Sequence, residues 1–186
     1  MAQTGPVDPV KLFVAVLWND AGALESACAL LRGRWGEFDF AGTDHPFDAT
    51  HYYEAEMGAD LKRRLLSFAR LAAPESIVDA KLDCNAMEDT LACNGVRRVN
   101  LDIGYLDHNK IVLASAKHAG QKIHLGKGIY ADLIARYRAG KYQPFEWTFP
   151  DFRDGRYDEE LARIRTIYLE QLRAQRTNSA FSAPPP

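Results

Sequence analysis

A small set of residues has the types and spacing from which a site could be built. Glu54 and Glu56 stand two apart in the stretch "THYYEAEMG", residues 50–58. Side chains of an extended chain alternate between faces, so a strand here puts Tyr52, Glu54 and Glu56 on one face. His51, Tyr53, Ala55 and Met57 take the other. Like charges this close need a cation, a basic side chain or bulk water beside them. The same habit recurs further on. Asn100 and Asp102 share a face in "VNLDIGY", Lys122 and His124 share one in "KIHLG", Lys117 closes "LASAK", and Lys81 alternates with Asp83. If these polar faces are one surface of one sheet, Glu54, Glu56 and Asp102 offer carboxylates to a divalent cation, Mg²⁺ or Mn²⁺. Lys81, Asn100, Lys117 and His124 then supply charge or hydrogen bonds to a small anionic, phosphorylated ligand. Hydrolysis or transfer at phosphorus suits such a set best. A sheet with one face on helices and one in water alternates in the same way, its surface charges forming weak cross-strand pairs. Both readings stand at this stage.

The elements that must position these residues follow from periodicity. "KLFVAVLW" (11–18) is a continuous apolar run, a buried strand. Leu24, Ala27, Cys28, Leu31 and Trp35 recur at helical spacing, so 20–35 is an amphipathic helix capped at "ND" and ended near Gly36. "FDFAG" and "HYYEAEM" read as strands. Leu61, Leu65, Phe68 and Leu71 make a second helical stripe, with Lys62, Arg63 and Arg64 on its wet face. Val78, Ala80, Leu82 and Cys84 alternate with polar residues and predict a strand. Further strands are expected around Val99–Tyr105, "IVLASAK", "QKIHLG" and 129–138, the last turning at "AGK" into "YQPFEWTF". Tyr157, Leu161, Ile164, Tyr168 and Leu172 mark a helix. The order β-α-β-β-α-β followed by strands predicts an α+β protein: a mainly antiparallel sheet, helices packed on one face, and a ferredoxin-like first half. Residues 1–9 read as a flexible arm, 10–175 as one domain, and 176–186 as a disordered tail.

Composition narrows the class. At 186 residues, 47% apolar and 26% charged, the chain reads as an ordinary globular domain. A formal net charge of −2 disfavours nucleic-acid binding, which shows as a basic excess. No apolar run approaches a membrane span, and "MAQTGPVDP" lacks the pattern of a signal peptide. Cys28, Cys84 and Cys93 match neither a zinc site nor a redox pair, which predicts reduced thiols and a cytoplasmic location. There is no GxxxxGK[ST] loop, no GxGxxG after a strand, no GxSxG elbow and no HExxH. Against the ligand site stands another class of function. A non-catalytic interaction module would dock a protein partner on the sheet face or on the aromatic "WTFPDF" edge.

Several stretches carry a resemblance: "DPVKLFVAVLW", "FDATHYYEAEMG", "RRVNLDIGYL", "LASAKH", "KIHLGKGIYADL" and "WTFPDFR". Across about residues 9–173 the chain resembles an uncharacterised bacterial family, domain of unknown function 4416. The resemblance implies no established activity. Members sometimes carry a GTP-binding label, for which this sequence holds no motif. Ile103 stands where the family pattern has proline, which bears on the local backbone shape, and Asp132 where relatives tend to have glutamate, which shortens a candidate ligand. Glu54-Ala-Glu56 is also similar to the first half of the E-x-E-x-K strand of triphosphate-tunnel enzymes, but Met57 and Gly58 follow and the lysine is missing.

Overall fold

The computed structural model describes residues 3–181. In chain order its elements are β1 (Lys11–Trp18), α1 (Ala21–Trp35), β2 (Phe38–Ala41), β3 (His45–Pro46), α2 (Glu54–Met57), β4 (Lys62–Phe68) and α3 (Ile77–Leu91). There follow β5 (Val99–Leu106), β6 (Lys110–Ser115), β7 (Ile123–Gly126), β8 (Ile129–Arg138), β9 (Lys141–Pro144), α4 (Pro150–Arg153) and α5 (Asp158–Phe181). The strands form one sheet of order β2-β4-β1-β5-β6-β8-β7, with β3 beside β4 and β9 beside β8. Every strand pairing among the described residues is antiparallel. The protein is therefore α+β, as its sequence predicts.

β1 and β2, joined through α1, enclose β4, while β4 and β5, joined through α3, enclose β1. These two interleaved βαβ units are the ferredoxin-like first half. Helices are not confined to one face, however. All eight residues of β1 are buried, so both its faces need cover. Leu12, Val14 and Val16 pack in a core with α1 and α3, whereas Phe13 and Ala15 pack in a second core with Leu161, Ile164 and Tyr168 of α5. Lys11, with no exposed surface, is held in the sheet by an ion pair with Asp39 and by hydrogen bonds to Phe68 O (2.6 Å) and Gln171 Oε1 (2.8 Å).

Three segments differ from the reading by periodicity. The stretch around Glu54 and Glu56 is not a strand but the single turn α2, stopped at Gly58 with φ +84°. Residues 62–68 are not a helix but β4: Leu65 faces the α5 core, while Leu66 and Phe68 face the α1 and α3 core. Residues 78–84 are not a strand but part of α3, which buries Ile77, Ala80, Lys81, Cys84 and Glu88 at helical intervals. Elsewhere the two readings agree. Asp20 caps α1 by accepting from the Ala23 amide at 2.6 Å, and Ala139 and Gly140, both with positive φ, turn β8 into β9. Residues 3–9 carry no regular element, and Asp8 is tied to Arg176 at 2.6 Å. The predicted tail from 176 overlaps α5, which runs to Phe181; residues 1–2 and 182–186 lie outside the described residues. No helix among the described residues is long and apolar enough to cross a membrane.

Candidate functional site

The sheet is split along part of its length. β5 pairs with β1 over all of Val99–Leu106, and β6 pairs with β8 over Lys110–Ser115. The ladder between β5 and β6 covers only Gly104↔Leu113, Tyr105↔Val112 and Leu106↔Ile111. Beyond Gly104 the two strands part. Gly104 sits at the apex, where an added Cβ would strike the Val112 carbonyl oxygen and lie 2.7 Å from Leu113 Cδ2. Only glycine permits this approach of the strands. The wedge that opens here is a cavity of about 500 Å³. That is within the range of small-ligand pockets.

Side chains from four strands share the wedge face. The paired rows Arg63–Leu17–Asn100, Leu65–Ala15–Asp102 and Asp132–Leu113–Gly104–Phe13 place Arg63, Asn100, Asp102 and Asp132 on one side of the sheet. From the other side, α3 reaches into the gap. The Leu101 backbone, which has no β6 partner, donates its N–H to Glu88 Oε1 at 2.7 Å and accepts from Lys81 Nζ at 2.9 Å. Two helix side chains thus replace the missing ladder bonds, as buried backbone groups require.

Arg63 closes the floor. Its guanidinium, 2% exposed, donates to Asp151 at 2.7 Å and to Asp102 at 3.0 Å, and lies over the Phe47 ring. Asp151 also accepts from the Tyr157 hydroxyl at 3.0 Å. Arg97 reaches in from the β5 side. It donates to Asn100 Oδ1 at 2.9 Å and pairs with Glu56 at 3.2 Å and Glu88 at 3.6 Å. On the β6 side, Lys122 donates to Ser115 Oγ at 2.9 Å and sits 3.3 Å from Asp132. At the rim, Lys117 donates to the Tyr52 hydroxyl at 2.6 Å, with Nζ 4.5 Å from the ring centre.

Three buried side-chain atoms of cavity residues have no hydrogen-bond partner in the protein: Arg63 Nε, Asn100 Nδ2 and Asp132 Oδ1. Each such atom costs about 1–3 kcal/mol. Asn100 and Asp132 are 4% and 3% exposed. Because arginine only donates, the Arg97 bond fixes Asn100 Oδ1 on its side and leaves Nδ2 as a committed, unpaired donor.

The sequence-derived site residues are therefore divided. Lys81, Asn100, Asp102 and Lys117 line the cavity. His124 falls on the same sheet face, in the row Ser115–Tyr130–His124, but on the edge strand β7, exposed and with its ring 5.1 Å from that of Tyr130. Glu54 pairs with His51 at 2.7 Å and Glu56 with Arg97, so α2 directs the two carboxylates to different partners. Glu54, Glu56 and Asp102 do not come together as a cation requires. No group of three His, Cys, Asp or Glu side chains suited to a metal ion occurs among the described residues.

The sequence model of the family described as Domain of unknown function (DUF4416) matches residues 8–168. The chain belongs to this family. The matched segment holds every residue that lines the cavity, from Phe47 to Asp151, so the wedge lies wholly within the family domain. No curated protein and no solved structure matches the chain.

The cavity residues that periodicity missed are Arg63, Glu88, Arg97 and Asp132; Lys122, which alternation puts on a polar face with His124, joins them in the lining. Asp132 had a readable signal, being an acid on the buried face of a strand between Tyr130 and Ile134. Glu88 had one too, seven residues after Lys81 on the buried stripe of α3. Burial raises the Glu88 carboxyl above its usual range, and Lys81 and the Leu101 amide only partly offset this. The folded state then holds its proton more tightly than the unfolded chain. Glu88 thus favours folding below the ordinary glutamate pKa and loses that contribution as pH rises through the folded value. Denaturant unfolding of Glu88→Gln against wild type is expected to show this directly. Wild-type stability should fall relative to the variant as pH rises above the ordinary glutamate pKa of about 4.3, and a pH-independent difference would refute it.

Proposed function

We propose that the protein binds a small anionic ligand, a phosphate ester, in the wedge between β5 and β6. The observation that carries this reading is a concentration of basic side chains. Arg63, Lys81, Arg97, Lys117 and Lys122 line one cavity of a chain whose formal net charge is −2. Arg63 and Lys81 are tied to Asp151, Asp102 and a backbone carbonyl. Lys117 instead has a neutral hydroxyl as its hydrogen-bond partner, so its charge is open to an anion. Carboxylates beside the basic groups, and low-dielectric walls, favour a site over an evenly wetted sheet face. Unpaired cysteines, with Cys28 and Cys84 buried, support a reducing, cytoplasmic setting. The reading is one of binding. A divalent cation is no part of it, because Glu54, Glu56 and Asp102 are not gathered.

Thermal unfolding with a panel of phosphate esters, with and without Mg²⁺ or Mn²⁺, tests it. A ligand at a hundredfold excess over its dissociation constant stabilises the fold by about 2.7 kcal/mol. The expected result is a rise in Tm with one ester class, independent of the metal and lost in Lys117→Ala with Lys122→Ala. No rise with any ester would overturn the reading in favour of a protein partner docking at Trp147 and Phe149, each 41% exposed.

A further inference from the structure

Two poles of the wedge differ in what they lack. At the β8 pole, Asp132 has one oxygen near Lys122 and the other, Oδ1, without a partner. An ionised carboxylate only accepts, so this pole calls for a hydrogen-bond donor on the ligand. At the β5 pole, Asn100 Nδ2 is an unpaired donor whose orientation Arg97 fixes, so this pole calls for an acceptor. Near the end of β6, Lys122 beside Asp132 and Lys117 at the rim supply positive charge. Asp132 pairs with Leu113, which pairs with Gly104, and Asn100 lies four residues before Gly104 on the same face. At the usual strand spacing and rise, the backbones of Asn100 and Asp132 are on the order of 15 Å apart. A bare phosphate cannot reach both. A simple alkyl phosphate reaches the lysines but leaves both orphans unpaired.

We infer that the ligand is a polyhydroxylated phosphate ester, a sugar phosphate. Its phosphate meets Lys117 and Lys122, one hydroxyl donates to Asp132, and a more distant oxygen accepts from Asn100. This rests on the phosphate-ester reading above and specifies its ligand. Hydroxyls suit both poles because each is donor and acceptor at once. An ammonium would serve Asp132 alone, and a carboxylate Asn100 alone. Asp132 and Asn100 thus determine specificity, while the lysines set the baseline affinity for any phosphate ester.

Calorimetric titration of the full chain with glucose 6-phosphate, ribose 5-phosphate, hexyl phosphate and inorganic phosphate separates these roles. Wild type is expected to bind at least one sugar phosphate more than tenfold tighter than hexyl phosphate. Asp132→Asn and Asn100→Leu are each expected to reduce that ratio below about threefold; because Asp132 neighbours Lys122, the ratio within each variant, not the hexyl phosphate affinity itself, is the readout. Far-UV circular dichroism checks that each variant is folded, and either variant alone suffices for the comparison. Equal affinity for sugar and hexyl phosphates in wild type would overturn the inference and leave the phosphate-ester reading standing. An unchanged ratio in a folded variant would remove that residue's role and overturn the inference in the same way. No binding of any of the four overturns both.

Discussion

Arg63→Met is expected to destabilise the protein by about 3–5 kcal/mol, because it strands two carboxylates rather than because an ion pair is lost. Asp151 is 1% exposed and Arg63 is its cationic partner, at 2.7 Å. Removing the guanidinium leaves that charge buried in the cavity floor between Phe47 and Phe152, whose rings lie 4.6 Å and 5.8 Å from the guanidinium. Asp102 loses the same partner but retains some exposure to water, so its share is smaller. Lysine is no substitute, since one ammonium cannot reproduce two differently directed donors. The measurement is urea unfolding of Arg63→Met, Asp151→Asn and the double variant. The double variant should recover part of the loss, because an amide in an apolar setting costs less than an unpaired charge. A loss below about 1 kcal/mol for Arg63→Met would show the network to be solvated and the floor of the wedge to be open.

Gly104→Ala should be the most damaging single methyl in the sheet. Overpacked methylenes cost about 1–3 kcal/mol where side chains can adjust. Here one neighbour is the Val112 carbonyl, which cannot move without pulling β6. β5 and β6 must therefore separate at the apex of the wedge, breaking part of a ladder that spans three residue pairs. Two effects are expected together: lower stability in urea and a changed affinity for the ester that raises Tm in wild type. Lys117→Ala at the exposed rim should change the second without the first. A Gly104→Ala variant with wild-type stability would mean that the strands already stand further apart than a Cβ requires.

The fold class and topology were legible while several elements were not, and the reasons are local. The order β-α-β-β-α-β recurs with other segments: β4 stands for the strand expected at 51–57, α3 for the helix expected at 61–71, and β5 for the strand expected at 78–84, with β3 and α2 inserted before β4. Leu65 and Phe68 have helical spacing, yet in β4 they face opposite ways because that strand is covered on both sides. A doubly covered strand loses its period of two, and any chance spacing of leucines then imitates a helix. The same misreading hid Arg63. Among Lys62 and Arg64 it looks like part of a wet basic face, and only the strand register turns it inward. In α3, Val78, Leu82 and Asp83 gave a false alternation, whereas Lys81 and Glu88 occupy core positions because Leu101 needs their polar ends. Asn100 and Asp102 were legible because β5 keeps a true alternation and packs its apolar side on α3. Glu54 and Glu56 were not, since four good helix formers before a glycine make a turn of helix as readily as a strand.

The split sheet also bears on the order in which the chain can be finished as it is synthesised. The strands up to β5 and those from β6 onward form two separately paired sets, bonded to each other by one short ladder. α5 touches both, packing against β1 on one side and β9 on the other, and its core residues share a cluster with Phe13, Leu65, Ile111 and Ile134. In chain order it follows every strand among the described residues. α3 already joins the two sets on one face, with Ala114 and Ile129 in its core; until residues 158–172 are available, the opposite apolar face across the junction is uncovered. The nascent chain can assemble each set early on the α3 face, and the gap takes its finished shape when α5 covers the other face.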